Sequence, residues 1–125
     1  MLIQEYLQNS AELFPDKAAI IQVGRETTYG EILQQARSVS QWLIKSNLQP
    51  GDRVAILIDD PSEYVIAYFS ILMAGGVVVA LNTQTSSRTL KYVFNDCRIS
   101  RLSLSASFLS RSFRALVPFS WRYTF

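Results

Sequence analysis

The stretch ILMAGGVVVALN, Ile71 to Asn82, is the most apolar passage of this 125-residue chain, and its reading decides the fold. Three structures compete for it: a membrane anchor, a glycine-rich phosphate loop, and the joint between a helix and a buried strand. As a membrane span it falls short. The apolar run around it, Val65 to Leu81, has 17 residues, the bottom of the range of about 17 to 25 that crosses a bilayer, and Gly75-Gly76 interrupts it. As a phosphate loop it lacks a strand before the glycines, a helix after them, and the lysine and hydroxyl residue that hold phosphates. What remains is a helix ending at Gly75-Gly76, where the backbone needs the left-handed conformation, followed by a buried strand from Val77 to Leu81.

The flanking sequence supports that joint. Upstream, LQPGDR (Leu48 to Arg53) is turn chemistry, and VAILI (Val54 to Ile58) is an apolar run of strand length, which predicts a strand covered on both faces. Asp59-Asp60-Pro61 then supplies an acidic N-cap with proline in the first helical turn, and Tyr64 to Ala74 continues as a largely apolar helix. Downstream, the polar loop Asn82 to Ser86 leads to a short amphipathic helix capped at Ser87, with Leu90, Val93 and Phe94 on one face.

Further out, Thr28-Tyr29-Gly30-Glu31 fits a capping box: the Thr hydroxyl accepts from the backbone three residues on, and the Glu side chain reaches back. The helix it opens runs to about Ser46, with an apolar stripe of Ile32, Leu33, Ala36, Val39, Leu43 and Ile44. Before it, AAIIQV (Ala18 to Val23), the turn Gly24-Arg25 and a return through Glu26 and Thr27 predict a small hairpin. Leu2, Ile3, Tyr6, Leu7, Leu13 and Phe14 predict an N-terminal amphipathic helix that Pro15-Asp16 ends. Alternating strands and helices place the chain in the α/β class, as an open layer with a largely parallel sheet and flanking helices.

Composition divides the chain in two. Met1 to Cys97 carries seven Lys/Arg against ten Asp/Glu, whereas Arg98 to Phe125 carries five Arg and no acid. The single cysteine, Cys97, precludes an intramolecular disulfide, and no secretory signal pattern opens the chain, so a cytoplasmic, reducing setting is expected. Without histidine, and with that one cysteine, the chain supports neither a tetrahedral zinc site nor a Ser-His or Cys-His catalytic pair.

The ordered set FPDKAAII, TTYGEI, LQPGDRVAILIDDPSEYVIAYFSILMAGGVVVALNTQ and LKYVFNDC, from Phe14 to Cys97, closely resembles the N-terminal region of the AMP-forming acyl-CoA synthetases. That adenylate-forming superfamily also includes luciferases and the adenylation domains of peptide synthetases. Each motif alone is turn or cap chemistry, and the specificity lies in their order. Val77 to Asn82 lacks the aromatic and the closing Asp common in peptide-synthetase domains, so it looks more like the acyl- or aryl-CoA ligase branch. Ala80 stands where many relatives have proline. The resemblance implies part of the N-terminal large domain of an enzyme that joins a carboxylic acid to ATP and passes the acyl group to coenzyme A, with magnesium assisting. It also implies a Ser/Thr/Gly-rich phosphate loop with a lysine, but the last lysine here is Lys91 and no such loop occurs. No catalytic, cofactor-binding or metal-binding residue is therefore assigned, no cofactor is expected on this chain itself, and the chain alone is expected to be inactive.

The tempting residues have structural explanations. Asp59, Asp60 and Glu63 match the positive N-terminal end of a helix, Thr28 and Glu31 the capping box, and Cys97 a small apolar residue. Tyr64 with Tyr68, and Phe69 with Met73, recur four residues apart as core pairs. Residues 1–97 are thus read as a partial adenylate-forming subdomain. Residues 98–125 are read as a divergent tail with the composition of a shifted reading frame; a true divergent terminus and a basic amphipathic segment are the competing readings. Arg101, Arg111, Arg114 and Arg122 lack helical spacing, so no nucleic-acid partner is expected, and no transmembrane segment either. The expected partners are a separately encoded remainder of the ligase, or other copies meeting through exposed apolar faces.

Overall fold

The strand β3 (Arg53–Leu57) organises the chain. In the computed structural model, which describes residues 1–99, 101–104 and 123–124, Val54, Ala55, Ile56 and Leu57 are all fully buried. Alternation along a strand sends neighbouring side chains to opposite faces, so a strand buried at every position needs cover on both. Val54 and Ile56 pack with Leu43, Ala67 and Ile71, which belong to α2 (Tyr29–Lys45) and α3 (Pro61–Met73). Ala55 and Leu57 pack with Leu90 and Phe94 of α4 (Ser87–Asp96). The expected two-sided cover is what the structure has.

Topology explains why the helices split between the faces. The four-stranded sheet runs β4-β3-β5-β6, with β4 at Val77–Ala80, β5 at Arg101–Leu104 and β6 at Tyr123–Thr124, every neighbouring pair parallel. From β3 the chain steps to one side to form β4, then returns across β3 to form β5. Crossovers between parallel strands are right-handed, so steps in opposite directions lay their helices on opposite faces. The sequence pattern fades from Arg98, yet Arg101–Leu104 forms β5, in register with Val54 to Leu57. The rest of the tail read as 98–125, apart from Arg98, Ile99 and the strand pieces, lies outside the described residues.

A second layer covers the outer side of α2 and α3. Leu7 and Ala11 of α1 (Ile3–Leu13) meet Ile32, Leu33 and Ile66, with Ala19 and Ile20 of the hairpin at the margin. That hairpin is β1 (Ala18–Gln22) and β2 (Arg25–Thr28), an antiparallel sheet of its own. The Thr28 box is present: the Glu31 N–H donates to Thr28 Oγ1 at 3.2 Å, and the Thr28 N–H donates to Glu31 Oε2 at 2.8 Å.

Three expectations need correction. The α1 stripe is only partly covered: Leu7 is buried, while Leu2, Ile3, Tyr6, Leu13 and Phe14 are exposed, because α2 and α3 meet the helix through Leu7 and Ala11. The cap of α4 is Ser86, not Ser87; its hydroxyl accepts from the Thr89 N–H at 3.3 Å. The strand expected to be buried, β4, lies at the edge of the sheet, and Val77 is 46% exposed. Its apolar run reflects packing on one strand, β3, rather than enclosure between two. Among the described residues no helix is long and apolar enough to cross a membrane.

Candidate functional site

In open parallel sheets the crevice outside the carboxyl ends of the strands, where the strand order reverses, is the usual place for a ligand. Here the reversal falls at β3, whose carboxyl end runs through Ile58 into Asp59, Asp60 and the first turn of α3. Beside it, β4 leads through Leu81 into the loop residues Asn82 and Thr83. At this edge backbone ends and polar side chains converge.

Their geometry is that of a fastening. Asp60 Oδ1 accepts the Glu63 N–H at 2.9 Å and so caps α3. Asp60 Oδ2 accepts from Gln22 Nε2 of the hairpin at 3.1 Å. The Glu63 N–H first, and the Gln22 amide second, hold the Asp60 carboxyl below its ordinary value of 3.8. Asp59 Oδ1 accepts the Thr83 hydroxyl and ties the β3 end to the loop after β4. Asn82 Oδ1 closes that loop on itself by accepting the Gln84 N–H at 2.8 Å.

Behind Asp60 lies a polar chain that the sequence reading does not contain. Ser62, fully buried, donates to Gln22 Oε1 at 2.7 Å. With that proton committed, Thr27, 3% exposed, donates to Ser62 Oγ at 3.0 Å. The partners are 35 and 40 residues apart in sequence, so no local motif announces them. The available signals were a lone Gln at the end of an apolar strand and a Ser in the first turn of a largely apolar helix.

The chemistry this edge supports is limited. The N-terminus of α3 carries the positive end of its dipole, which would attract a phosphate, but Asp60 already occupies it and Asp59 and Glu63 add negative charge. The three acids do not converge on one point: Asp60 and Asp59 are bound to different partners, and among the described residues no group of three Asp, Glu, His or Cys could hold a metal ion. Cys97 packs half-buried against the Ala55 and Leu57 cluster. Thr28 and Glu31 are engaged with each other. An open groove of about 460 Å³ lies elsewhere, between α1 and α2, lined by Glu5, Gln8, Arg37, Gln41 and Met73 among others.

Fold and sequence together find their match in known proteins. The profile of the family described as AMP-binding enzyme matches residues 7–113, most of the chain and beyond Cys97 into the basic segment. The chain belongs to the AMP-binding enzyme family. It is 38% identical over 98 residues to a long-chain-fatty-acid–CoA ligase of Bacillus subtilis (strain 168), a match that covers 78% of this chain and 18% of the ligase. It superposes on anthranilate CoA ligase AuaEII in complex with anthranoyl-AMP with a TM-score of 0.84 and 25% identity, covering 96% of this chain and 24% of that one. The N-terminal subdomain of Klebsiella oxytoca NpsA shares the fold, with a TM-score of 0.82 and 24% identity over 97% of this chain and 30% of that one. The chain therefore spans under a third of each of these relatives. Its α/β architecture is that of the N-terminal part of adenylate-forming enzymes.

Proposed function

We propose that these residues are the N-terminal scaffold of an AMP-forming carboxylate–CoA ligase, and that they perform no adenylation by themselves. The observation that carries the ligase reading is the 38% identity to a long-chain-fatty-acid–CoA ligase. ATP, magnesium and coenzyme A would serve the whole enzyme. The described residues do not fit them: the carboxyl edge of the sheet is acidic, and the positive end of α3 is filled by Asp60. No step of acyl activation is routed through this chain. Its part is to fix the spacing of β3, β4 and α3.

A chimera tests the proposal. Residues 1–99 replace the corresponding segment of the Bacillus subtilis ligase, and AMP release is measured with ATP, coenzyme A and a long-chain fatty acid. Activity within about tenfold of the parent, a difference of about 1.4 kcal/mol in barrier, is expected. The 125-residue chain alone, given fatty, aryl and amino acids, should release none. A folded but inactive chimera, or turnover by the isolated chain, overturns the reading.

The exposed apolar row of α1, from Leu2 to Phe14, favours a related reading in which the chain assembles with a separately produced remainder of such an enzyme. Co-expression with the rest of a related ligase should then give a stable complex that restores AMP release. Independent purification of the two pieces without association counts against it.

A further inference from the structure

The free edge of β4 is built for pairing with a copy of itself. The Val77 N–H donates to Asp52 O at 2.8 Å and the Leu81 N–H to Ile56 O at 3.1 Å. In a parallel ladder, bonding residues alternate with residues whose N–H and C=O both point away. With β3 pairing Val77 to Ala80 in register, the outward-pointing groups belong to Val78 and Ala80. Among the described residues β4 has no neighbour on that side.

We propose that two copies of this chain join through antiparallel pairing of their β4 edges about a two-fold axis at Val79. In that register Val78 of one copy exchanges N–H···O bonds with Ala80 of the other, and the reverse, so each outward group finds a partner. The arrangement is self-complementary, as a two-fold interface requires. Charge favours it as well. Proteins protect edge strands with lysine, proline or bulges, and here no charged residue lies between Glu63 and Arg88, while β4 contains no proline. Two identical edges therefore meet with no charged side chain on either strand. Ala80 is the critical position, since proline there, which the family resemblance leads one to expect, would remove an outward donor while leaving the β3 ladder whole. Val77, half-exposed at the start of the strand, gains cover from the loop after the partner's β4.

The test compares the full chain with Ala80→Pro and Ala80→Lys by sedimentation across a dilution series, with amide hydrogen exchange at both ends of the series. The chain should pass from dimer to monomer on dilution. The Val78 and Ala80 amides should be protected only in the dimer, and those of Val77, Val79 and Leu81 in both states. Loss of the outward donor in both copies should weaken the dimer by about tenfold or more, the size expected for two backbone hydrogen bonds. Ala80→Lys keeps the N–H and should weaken association through like charge, so it covers the case in which the proline variant fails to fold. A chain that is monomeric throughout, association of Ala80→Lys equal to that of the parent, or a dimer in which the Val78 and Ala80 amides exchange freely overturns the proposal.

Discussion

Replacing Ser62 with alanine should be among the most damaging single-atom deletions in this chain. The hydroxyl is fully buried, donates to Gln22 Oε1 at 2.7 Å and accepts from Thr27 at 3.0 Å. Its removal strands two partners of unequal exposure. Gln22 is half-buried and can turn to water, so its loss approximates an ordinary hydrogen bond, about 1 kcal/mol. Thr27, 3% exposed, is left with a donor that has no acceptor, a penalty of about 1 to 3 kcal/mol. The total, about 2 to 4 kcal/mol, would move a urea midpoint by about 1 M or more at the slopes usual for small domains. Thr27→Val removes the stranded hydroxyl in an isosteric way. The double variant Thr27→Val, Ser62→Ala should recover at least about 0.5 kcal/mol relative to the sum of the singles. Urea unfolding followed by circular dichroism supplies all four values. Strict additivity, or a Ser62→Ala loss below about 0.5 kcal/mol, would show that the buried chain does not link the hairpin to α3.

Other perturbations address the remaining elements. Gly75 has φ +82, so Gly75→Ala should cost about 1 to 2 kcal/mol through the left-handed backbone alone. Gly76→Ala is a packing test instead: its Cβ would fall 2.9 Å from Ile71 Cγ2, in a residue only 1% exposed, and overpacking of that kind costs about 1 to 3 kcal/mol by thermal unfolding. Thr28→Ala should lose about 0.5 to 2 kcal/mol, and hydrogen exchange in the first turn of α2 should rise selectively. For Asp60 the folded carboxyl sits below its unfolded value of 3.8, so it contributes stability above that pH, and the contribution disappears as pH falls through the folded value. Asp60→Asn should therefore flatten the acid limb of a stability profile measured below about pH 4, and an unchanged limb would refute the assignment.

What the sequence revealed follows the range of the forces involved. The Thr28 and Glu31 box, the Asp60 cap with Pro61 behind it, and the end of α3 at Gly75 are interactions spanning at most a few residues, so their chemistry is written locally. The double burial of β3 was legible because only two-sided cover explains an unbroken apolar strand. The edge position of β4 was not, since four apolar residues in β4 look the same whether one neighbour or two lie alongside. Strand order is a property of the returning chain, and here the return comes through β5, where the sequence pattern had faded. The Gln22, Ser62 and Thr27 chain was invisible for the same reason, as each member looks like a solvent-facing polar residue until the hairpin folds onto α3. The candidate edge site shares this division: its acids could be assigned to helix capping in advance, but the Asp59 to Thr83 tie could not.

The absence of charge from Tyr64 to Ser87 has two causes that only the three-dimensional arrangement separates. α3 is sandwiched: Ile66, Val65, Phe69 and Met73 face the α1 and α2 layer, while Ala67 and Ile71 face the sheet, so hardly any part of its surface is left for a charge. A helix buried on both sides is apolar all round, which is why the stretch imitates a membrane segment. β4 differs. Val78 and Val79 are needed against the two faces of the sheet, but the exposed ends, Val77 and Ala80, meet no such demand. A soluble edge gains from a charge or proline at those ends and loses nothing in packing. Packing among the described residues therefore does not explain their apolar character, and these are the positions that the proposed pairing of two β4 edges would cover.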